Sequence, residues 1–568
     1  MENALLITAT VLCGGCALIA FFRKESSKTV LVLWSAVGGL VLIAAGLLVF
    51  YLYSGRFEYA YVYNHTSLGL SPVYRVSSLW SGQEGSFLLW AAVLAGTGFF
   101  LLKNAKKGTR VFGTYAALCF CVLLMCCLSR PFATLDYVPA DGLGLAQALQ
   151  DPWMVVHPPL VFVAYSMMAV LFAKGTAFAK DANACVAERV NVWCRMSWAF
   201  LGLGILTGSV WAYHALGWGG FWAWDPVENA ALVPWLILGG LLHRKNRWSR
   251  ARCMLPFAAA GFGVFLTRSG VLRDSSAHAY AGGDTVVTVL LLALLAGAVL
   301  YFALAGVKKA KRTAGEDKGE KLPAWEIFID KKRLLAWNVN IYAGLVLAGT
   351  VAPLATGGAT PEAYYIAVSV LFAFAFAATL LLWNVAVLKA HCIGMLALGT
   401  AGTIGAIAVT GAPFSLWLLV IWVCLLPPSL WIVNRFKTEN GRFYLLHTGL
   451  CLLIAGAVAS SALGKESFAA AAPEADCVAV AGVEVPLTDI AASDVLIVTL
   501  PQSDLVLRSS EAFSLSDGTV CVSYTEKPLI LLFWGGAVMA LAAPFLYGWR
   551  LGCRRRRKGS PNGVDAAA

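Results

Sequence analysis

The sequence predicts an all-α polytopic membrane protein of about 15 transmembrane helices, with a tryptophan-rich outer loop and a small β-rich outer domain. Three observations carry that expectation. Hydrophobic residues make up 59% of the 568 and charged residues only 13%, with a mean hydropathy of +0.73. An ordinary soluble globule does not have that composition. Apolar runs approaching the ~20 residues that cross a bilayer recur along the whole chain. Finally, the basic residues crowd into alternate connections between those runs, the asymmetry expected of cytoplasmic loops.

In chain order the apolar spans are 3–22, 30–53, 86–102, 111–128, 155–173, 196–214, 230–243, 254–272, 284–306, 335–354, 364–387, 393–411, 415–434, 443–463 and 528–548. The connections 22–29, 103–110, 174–195, 243–253, 307–334, 388–392, 435–442 and 549–568 hold 35 of the 43 Lys and Arg. The remaining 8 are Arg56, Arg75, Arg130, Arg268, Arg273, Lys465, Arg508 and Lys527. This alternation places the N-terminus outside and the C-terminus, with its run from Arg554 to Lys558, in the cytoplasm. A net charge of +12 is then a topology signal and implies no nucleic-acid partner. The first span has neither a basic n-region nor a small-residue cleavage site and is expected to be a retained helix.

Most connections are short, which suits antiparallel neighbours. Four outer segments are longer: 54–85, 129–154, 215–229 and 464–527. The last is rich in β-branched residues, as in Val495 to Leu500, bounded by Asp494 and Pro501, and reads as a β-rich outer domain. Three regions follow: a transmembrane core over 1–463 that includes the loop 215–235, the outer domain 464–527, and a last helix with a basic cytoplasmic tail over 528–568. The inner loop 307–334 is charged, with a short helix expected near Trp325. Most of the 15 cysteines fall within spans, where a thiol behaves as a small hydrophobe. Cys13-Gly-Gly-Cys16 has redox spacing, but inside a membrane helix it reads as two packing residues. Cys477 and Cys521 lie in the outer segment and are candidates for a disulfide in an oxidising compartment.

The stretch Gly217 to Trp235, GWGGFWAWDPVENAALVPW, is the most informative. Trp218, Phe221, Trp222 and Trp224 crowd flat aromatic faces together, and Gly217, Gly219 and Gly220 let the backbone approach whatever they stack on. An aromatic belt at the membrane interface needs no such glycines, so the loop suits a flat, apolar ligand. Asp225, before Pro226, opens a turn, and Glu228 and Asn229 are placed to cap the following helix.

The loop resembles the WWD signature of haem-handling membrane proteins. Its neighbours LWSGQEGSFLLW (Leu79 to Trp90), HPPLVFVAY (His157 to Tyr165), LTRSGVLRDSSAHAYA (Leu266 to Ala281) and YTEKP (Tyr524 to Pro528) narrow the resemblance to the CcmF family of cytochrome c-type biogenesis proteins. Those are haem lyase subunits of the cytochrome c maturation system of the bacterial inner membrane.

The depths of the histidines can be read beside that resemblance. His157 opens the fifth span and His278 follows the eighth, both near the outer surface, as is the tryptophan loop. His243 lies 15 residues after Glu228, about 22 Å along a helix and so near the inner face. His447 comes five residues after Arg442, again near the inner side. Neutral imidazole is a good axial ligand for haem iron. The resemblance implies that His157 and His278 ligate the iron of an outer, substrate haem b, and that His243 and His447 ligate a membrane-embedded haem b. His65, His214 and His391 have no such support, and His214 stands where an aromatic is expected. Arg268 and Arg273 bracket the outer end of the eighth span; in a haem site their guanidinium groups would pair with propionates. With Trp218, Trp222, Trp224 and Asp225 they complete the haem-binding candidates, and Glu84 is a motif position without a derived role.

The resemblance implies a haem lyase that receives haem from a periplasmic haem chaperone. It holds the haem while two reduced thiols of an apocytochrome c, brought by a thioredoxin-like presenting subunit, add to the two vinyl groups. Reduction through the membrane haem b draws on quinol. The chemistry needs positioning and no nucleophile from this chain. A haem exporter or another polytopic transporter is the alternative; ion routes place charged residues at mid-membrane, whereas here they lie at span ends.

The partition of basic residues makes the topology testable. Reporter fusions at Gly283, Gly357 and Ser467 are expected outside, and fusions at Lys309, Lys437 and Gly559 inside. Since one miscounted span inverts every later site, Ser467 and Gly559 on the same side would overturn the assignment.

Overall fold

The computed structural model describes residues 2–22, 28–104, 109–177, 184–215, 220–243, 250–271, 331–356, 358–411, 413, 415–434, 441–472, 475–492, 495–514 and 519–558. Among these, eleven helices are long and apolar enough to cross a membrane, and Pro226–Leu242 and Ile530–Leu546 are shorter apolar helices. The expected span 284–306 and the short helix near Trp325 lie outside the described residues. The chain divides into two compact units, Met1–Ser369 and Val370–Ala568.

The first unit begins with α1 (Glu2–Phe22) and α2 (Lys28–Ser54), followed by two short helices, α3 (Ala60–His65) and α4 (Pro72–Ser77), and a 3-10 turn over Ser78–Trp80. Then come α5 (Gln83–Asn104), α6 (Thr109–Ser129), α7 (Pro152–Ala177), α8 (Ala184–Ala215), α9 (Pro226–Leu242), α10 (Arg250–Arg268) and α11 (Lys331–Thr356). Lipid supplies no hydrogen bonds, so helices in a membrane pack through small residues and satisfied polar atoms. Trp34 of α2 shows both. Its indole is fully buried, its Nε1 donates to the Ala95 carbonyl at 3.0 Å, and the missing side chain of Gly98 leaves the space it fills. Cys13 and Cys16 are buried in α1, with thiols facing the carbonyls of Ala116 and Val30, in keeping with a packing role.

The segment 130–151 runs as a strap beside residues 58–68. Ala60 donates to Ala133 and Leu135 to Glu58, both at 2.8 Å, and Leu143 donates to Tyr63 at 2.8 Å. Gly142 makes this approach possible, because a Cβ there would run into the Tyr63 and Thr66 carbonyls. The strap delivers the chain to the start of α7.

Helix α12 (Glu362–Trp383) leads into the second unit, which continues with α13 (Val385–Thr410), α14 (Leu416–Val433) and α15 (Gly441–Ala462). Here the structure corrects a boundary. The expected helix 364–387 ends earlier, at Asn384, which turns its amide back to the Leu380 carbonyl at 3.1 Å, while the expected connection 388–392 contains a second break at His391. Residue His391 then sits at a kink inside α13. The segment after α15 is β-rich as expected. Strands β1 (Lys465–Ala471), β6 (Val520–Pro528), β5 (Ser503–Ser514) and β4 (Val495–Thr499) form an antiparallel sheet in that order. A hairpin of β2 (Cys477–Val480) and β3 (Val483–Pro486) and the short α16 (Leu487–Ala492) complete it. Val478, Val480, Leu505, Leu507 and Val522 fill its core. The disulfide considered for Cys477 and Cys521 is not formed: both are free thiols. The reason is topological, since Cys477 pairs with Pro486 in the hairpin while Cys521 lies opposite Ala470 and Phe513 in the larger sheet.

The last helix, α17 (Ile530–Lys558), packs on α15 at backbone contact. A Cβ at Gly449 would meet the Ala540 nitrogen at 2.5 Å and the Gly536 carbonyl oxygen at 2.6 Å, and one at Gly456 would strike the backbone of Phe533. Adding a methyl at Gly449 must push two helices apart. Gly449→Ala is therefore expected to destabilise the protein by about 1–3 kcal/mol, read as a lowered unfolding temperature in detergent. Gly535→Ala, where the new methyl meets nothing, is expected to be neutral or slightly stabilising.

Candidate functional site at the tryptophan loop

Helix α7 carries His157, and its start is built for that purpose. Pro152 opens the helix, and the Asp151 Oδ1 accepts from the Trp153 amide at 2.7 Å, satisfying one of the donors a helix N-terminus leaves open. Pro158 has no N–H to offer the Met154 carbonyl four residues earlier. Trp80 supplies the replacement, its Nε1 donating to Met154 at 3.3 Å. The WSGQEGS stretch is thus joined to the turn of α7 just before His157 by a bond that the proline makes necessary.

The imidazole of His157 lies in a notch on α8. Its Nδ1 faces the Gly204 carbonyl at 2.7 Å; a carbonyl only accepts, so Nδ1 carries the proton and Nε2 the lone pair. A Cβ on Gly208 would come within 2.8 Å of the ring, so glycine is what admits it. One turn further along α8, Trp211 lies beside the imidazole, with centroids 6.1 Å apart and planes at 32°. The Trp211 Nε1 donates to the Ala148 carbonyl of the strap at 2.7 Å. Another turn on, His214 Nδ1 stands 3.7 Å from Asp151 Oδ2.

The tryptophan loop follows directly. Asp225 caps α9: its Oδ1 accepts from Val227 at 2.7 Å, and the Glu228 Oε2 reaches back to the amides of Asp225 at 3.2 Å and Ala223 at 3.0 Å. This reciprocal pair is a capping box, the structural role expected of these carboxylates. Trp224 is held at a φ of +56°, left-handed backbone that costs a bulky residue about 1–3 kcal/mol. Two interactions hold it there. Asn229 Nδ2 donates to the Trp224 carbonyl at 2.9 Å, and the indole stacks on Tyr365 with centroids 5.0 Å apart and planes at 4°. Trp222 meets Trp224 edge-on at 6.1 Å. The described part of the loop, 220–225, thus presents Trp222 and Trp224 beside the capped start of α9.

Arg268 ends α10, with its guanidinium carbon 6.0 Å from the centre of the Phe87 ring, a cation–π distance. The glycines of WSGQEGS also acquire a role. Side chains at Gly82 and Gly85 would collide with His65 and with Tyr61 and the Leu79 carbonyl, so these positions admit the stacked Tyr61–His65 pair, 4.3 Å apart. Burial pushes the His65 imidazole pKa down.

His243 follows α9 as its C-cap, and its Nδ1 faces the Gly239 carbonyl at 2.8 Å. His447 of α15 is 4% exposed; its Nδ1 faces the Phe443 carbonyl at 2.7 Å, and its ring lies between Phe443 and Phe376 at 4.0 and 6.3 Å. Both are therefore Nδ1-protonated imidazoles with Nε2 as the donor nitrogen, the state a haem iron takes. The first belongs to Met1–Ser369 and the second to Val370–Ala568. Trp218, Arg273 and His278 lie outside the described residues.

Sequence reasoning missed Gly204, Gly208, Trp211 and Tyr365. The first three were discoverable, since Gly204, Gly208, Trp211 and His214 follow the helical spacing of a single face. Tyr365 carries no local signal, because its part depends on a stack with a residue more than a hundred positions away.

The family model described as "Cytochrome C assembly protein" matches residues 80–268, the segment from Trp80 to Arg268 that contains this site. The "Cytochrome c-type biogenesis protein CcmF" of Pseudomonas fluorescens is 33% identical over 335 residues, covering 55% of this chain and 49% of that protein. The corresponding CcmF of Escherichia coli K12 is 31% identical over 374 residues, covering 62% and 55%. The "Cytochrome c-type biogenesis protein NrfE" of Haemophilus influenzae is 36% identical over 279 residues, covering 46% and 44%. The chain thus spans about half the length of the curated relatives it matches. A solved structure titled "Cytochrome c Heme Lyase CcmF" has the same fold, with a TM-score of 0.69 and 20% identity over 96% of this chain and 97% of that one.

The capping assignment separates two uses of Asp225. Asparagine also caps helices, so Asp225→Asn is expected to leave the loop intact, while Asp225→Ala costs about 1 kcal/mol. Hydrogen exchange of residues 220–229 reads the difference: faster exchange in the alanine variant alone is the expected outcome, and equal loosening by both would assign the negative charge itself to the loop.

Proposed function

We propose that this chain, a member of the cytochrome c assembly protein family, holds haem at its outer face for thioether attachment to an apocytochrome c. The observation that carries the reading is the placement of His157. Its imidazole is fixed in the ligating tautomer by Gly204 and lies beside Trp211, on the helix that leads into the rigid tryptophan loop, all within the matched segment.

In this reading the haem is a substrate. His157 supplies one axial ligand, and His278 the second, as the resemblance implies. Trp222 and Trp224, with Trp218, hold the macrocycle edge, and Arg268 and Arg273 take the propionates. The walls are held by capping bonds and stacking, so the haem meets a preorganised surface, and orientation is the main contribution to rate. Both vinyl groups must face the two cysteines of the apocytochrome in one register, and a rigid wall sets that register. His243 and His447 would hold the membrane haem b, which supplies one-electron reduction of the substrate iron when bound. The partners are a periplasmic haem chaperone, the apocytochrome with its thioredoxin-like presenting subunit, and quinol as reductant. The N-terminus lies outside and the C-terminus in the cytoplasm of a bacterial inner membrane.

Purification and a reduced pyridine haemochrome spectrum test this directly. One b-type haem per chain is expected, lost in His243→Ala and in His447→Ala. His157→Ala is expected to retain it while abolishing cytochrome c assembly in cells that lack their own lyase. A full haem complement in both inner-site variants would remove the inner site, and loss of haem b in His157→Ala would merge the two sites into one. A chain that carries no haem b at all would favour a transporter.

A further inference from the structure

We propose that His214, held by Asp151, transfers the proton when a substrate thiol adds to a haem vinyl group at the outer site; the inference rests on the function proposed above. The addition itself defines the need. The thiol gives up its proton, a carbon–sulfur bond forms at one vinyl carbon as the vinyl π bond breaks, and the other vinyl carbon gains a proton. No electrons are gained or lost, so the step wants one group that can accept a proton and return it.

His157 is committed otherwise, with its Nδ1 proton on Gly204 and its Nε2 as a metal ligand. His214 is placed for the task. Gly208, against which His157 lies, Trp211, which lies beside it, and His214 follow one another at helical spacing on one face of α8. His214 is therefore about 9 Å further along the helix from Gly208, at its outer end, where the tryptophan loop begins. Its side chain is 42% exposed, so substrate can reach it.

Asp151 is fixed in turn. One carboxylate oxygen caps α7 through the Trp153 amide at 2.7 Å, and the other stands 3.7 Å from His214 Nδ1. The carboxylate thus stands beside Nδ1 without a formed hydrogen bond, and contacts between a base and its orienting group are often this loose before substrate binds. With Nδ1 on the Asp151 side, Nε2 is the nitrogen left to meet a substrate. Among the described residues, Tyr74 also feels this carboxylate: burial, and then the Asp151 charge, push its phenol pKa up. The family resemblance leads one to expect an aromatic at position 214, so this proton relay is a property of this chain's own sequence.

His214→Gln keeps the side chain's size and polarity but removes the proton relay, and Asp151→Asn removes the charge that supports it. In cells without their own lyase, covalent haem on a co-expressed apocytochrome c, read by haem stain on a denaturing gel, is expected to fall on the order of 10²-fold for His214→Gln and by less for Asp151→Asn. Non-covalent haem on the purified variants, read by absorption, is expected to stay at the level of the unsubstituted chain. Added imidazole is expected to restore attachment to His214→Gly. Undiminished attachment in His214→Gln would overturn the proposal, as would loss of bound haem in step with attachment, which would make His214 a binding residue. Absence of attachment by the unsubstituted chain would remove the parent reading, and this one with it.

Discussion

One constraint shapes the membrane-crossing part of this structure: within a bilayer no water is available, so a buried polar atom is stabilised by a partner in the protein. The histidines show the consequence most directly. His65, His243 and His447 each turn Nδ1 to the carbonyl four residues earlier in their own helix, and His157 turns its Nδ1 to Gly204 on a neighbouring helix. Carbonyls only accept, so the requirement to satisfy Nδ1 also fixes the tautomer and leaves Nε2 as the lone-pair nitrogen. A rule that serves stability thereby produces side chains ready for a metal. His157 differs in that its partner lies on another helix, so its ring orientation depends on how α7 and α8 pack.

The same constraint explains where the glycines and prolines fall. Pro158 removes a donor, and Trp80 is drawn in to replace it. Gly208 admits His157, Gly82 and Gly85 admit Tyr61 and His65, and Gly98 admits Trp34. In each case a missing Cβ makes room for an aromatic ring, so a motif that looks like a list of small residues is the negative image of a large one elsewhere. Helix association without a hydrophobic drive rests on such fitting.

Much of this was legible in the sequence, and for definite reasons. Apolar length, the alternation of Lys and Arg, the β-branched runs after Leu463 and the Asp225–Glu228 cap are all local, and local signals survive in a one-dimensional reading. The end of α12 was misplaced because Asn384 stops the helix by bonding back to Leu380, while the apolar run continues past it without change. The disulfide between Cys477 and Cys521 was a guess from compartment alone, and strand order separates the two. Trp211 and Tyr365 went unnoticed for opposite reasons. The first was visible in the spacing of α8 but hidden among many aromatics, and the second is defined only by the ring it meets.

The strained Trp224 draws these points together. A left-handed tryptophan is an unfavourable way to end a loop, and glycine would remove the strain at no steric cost. The chain instead keeps the indole and surrounds it with a capping box, an Asn229 hydrogen bond and a Tyr365 stack. Each holds a different part of the residue: its flanking amides, its carbonyl and its ring. Such over-determination has little purpose in a connection between two helices, since a flexible turn would join α8 to α9 equally well. Its effect is to keep the Trp224 indole at one angle to Tyr365 and to the start of α9, with Trp222 edge-on beside it.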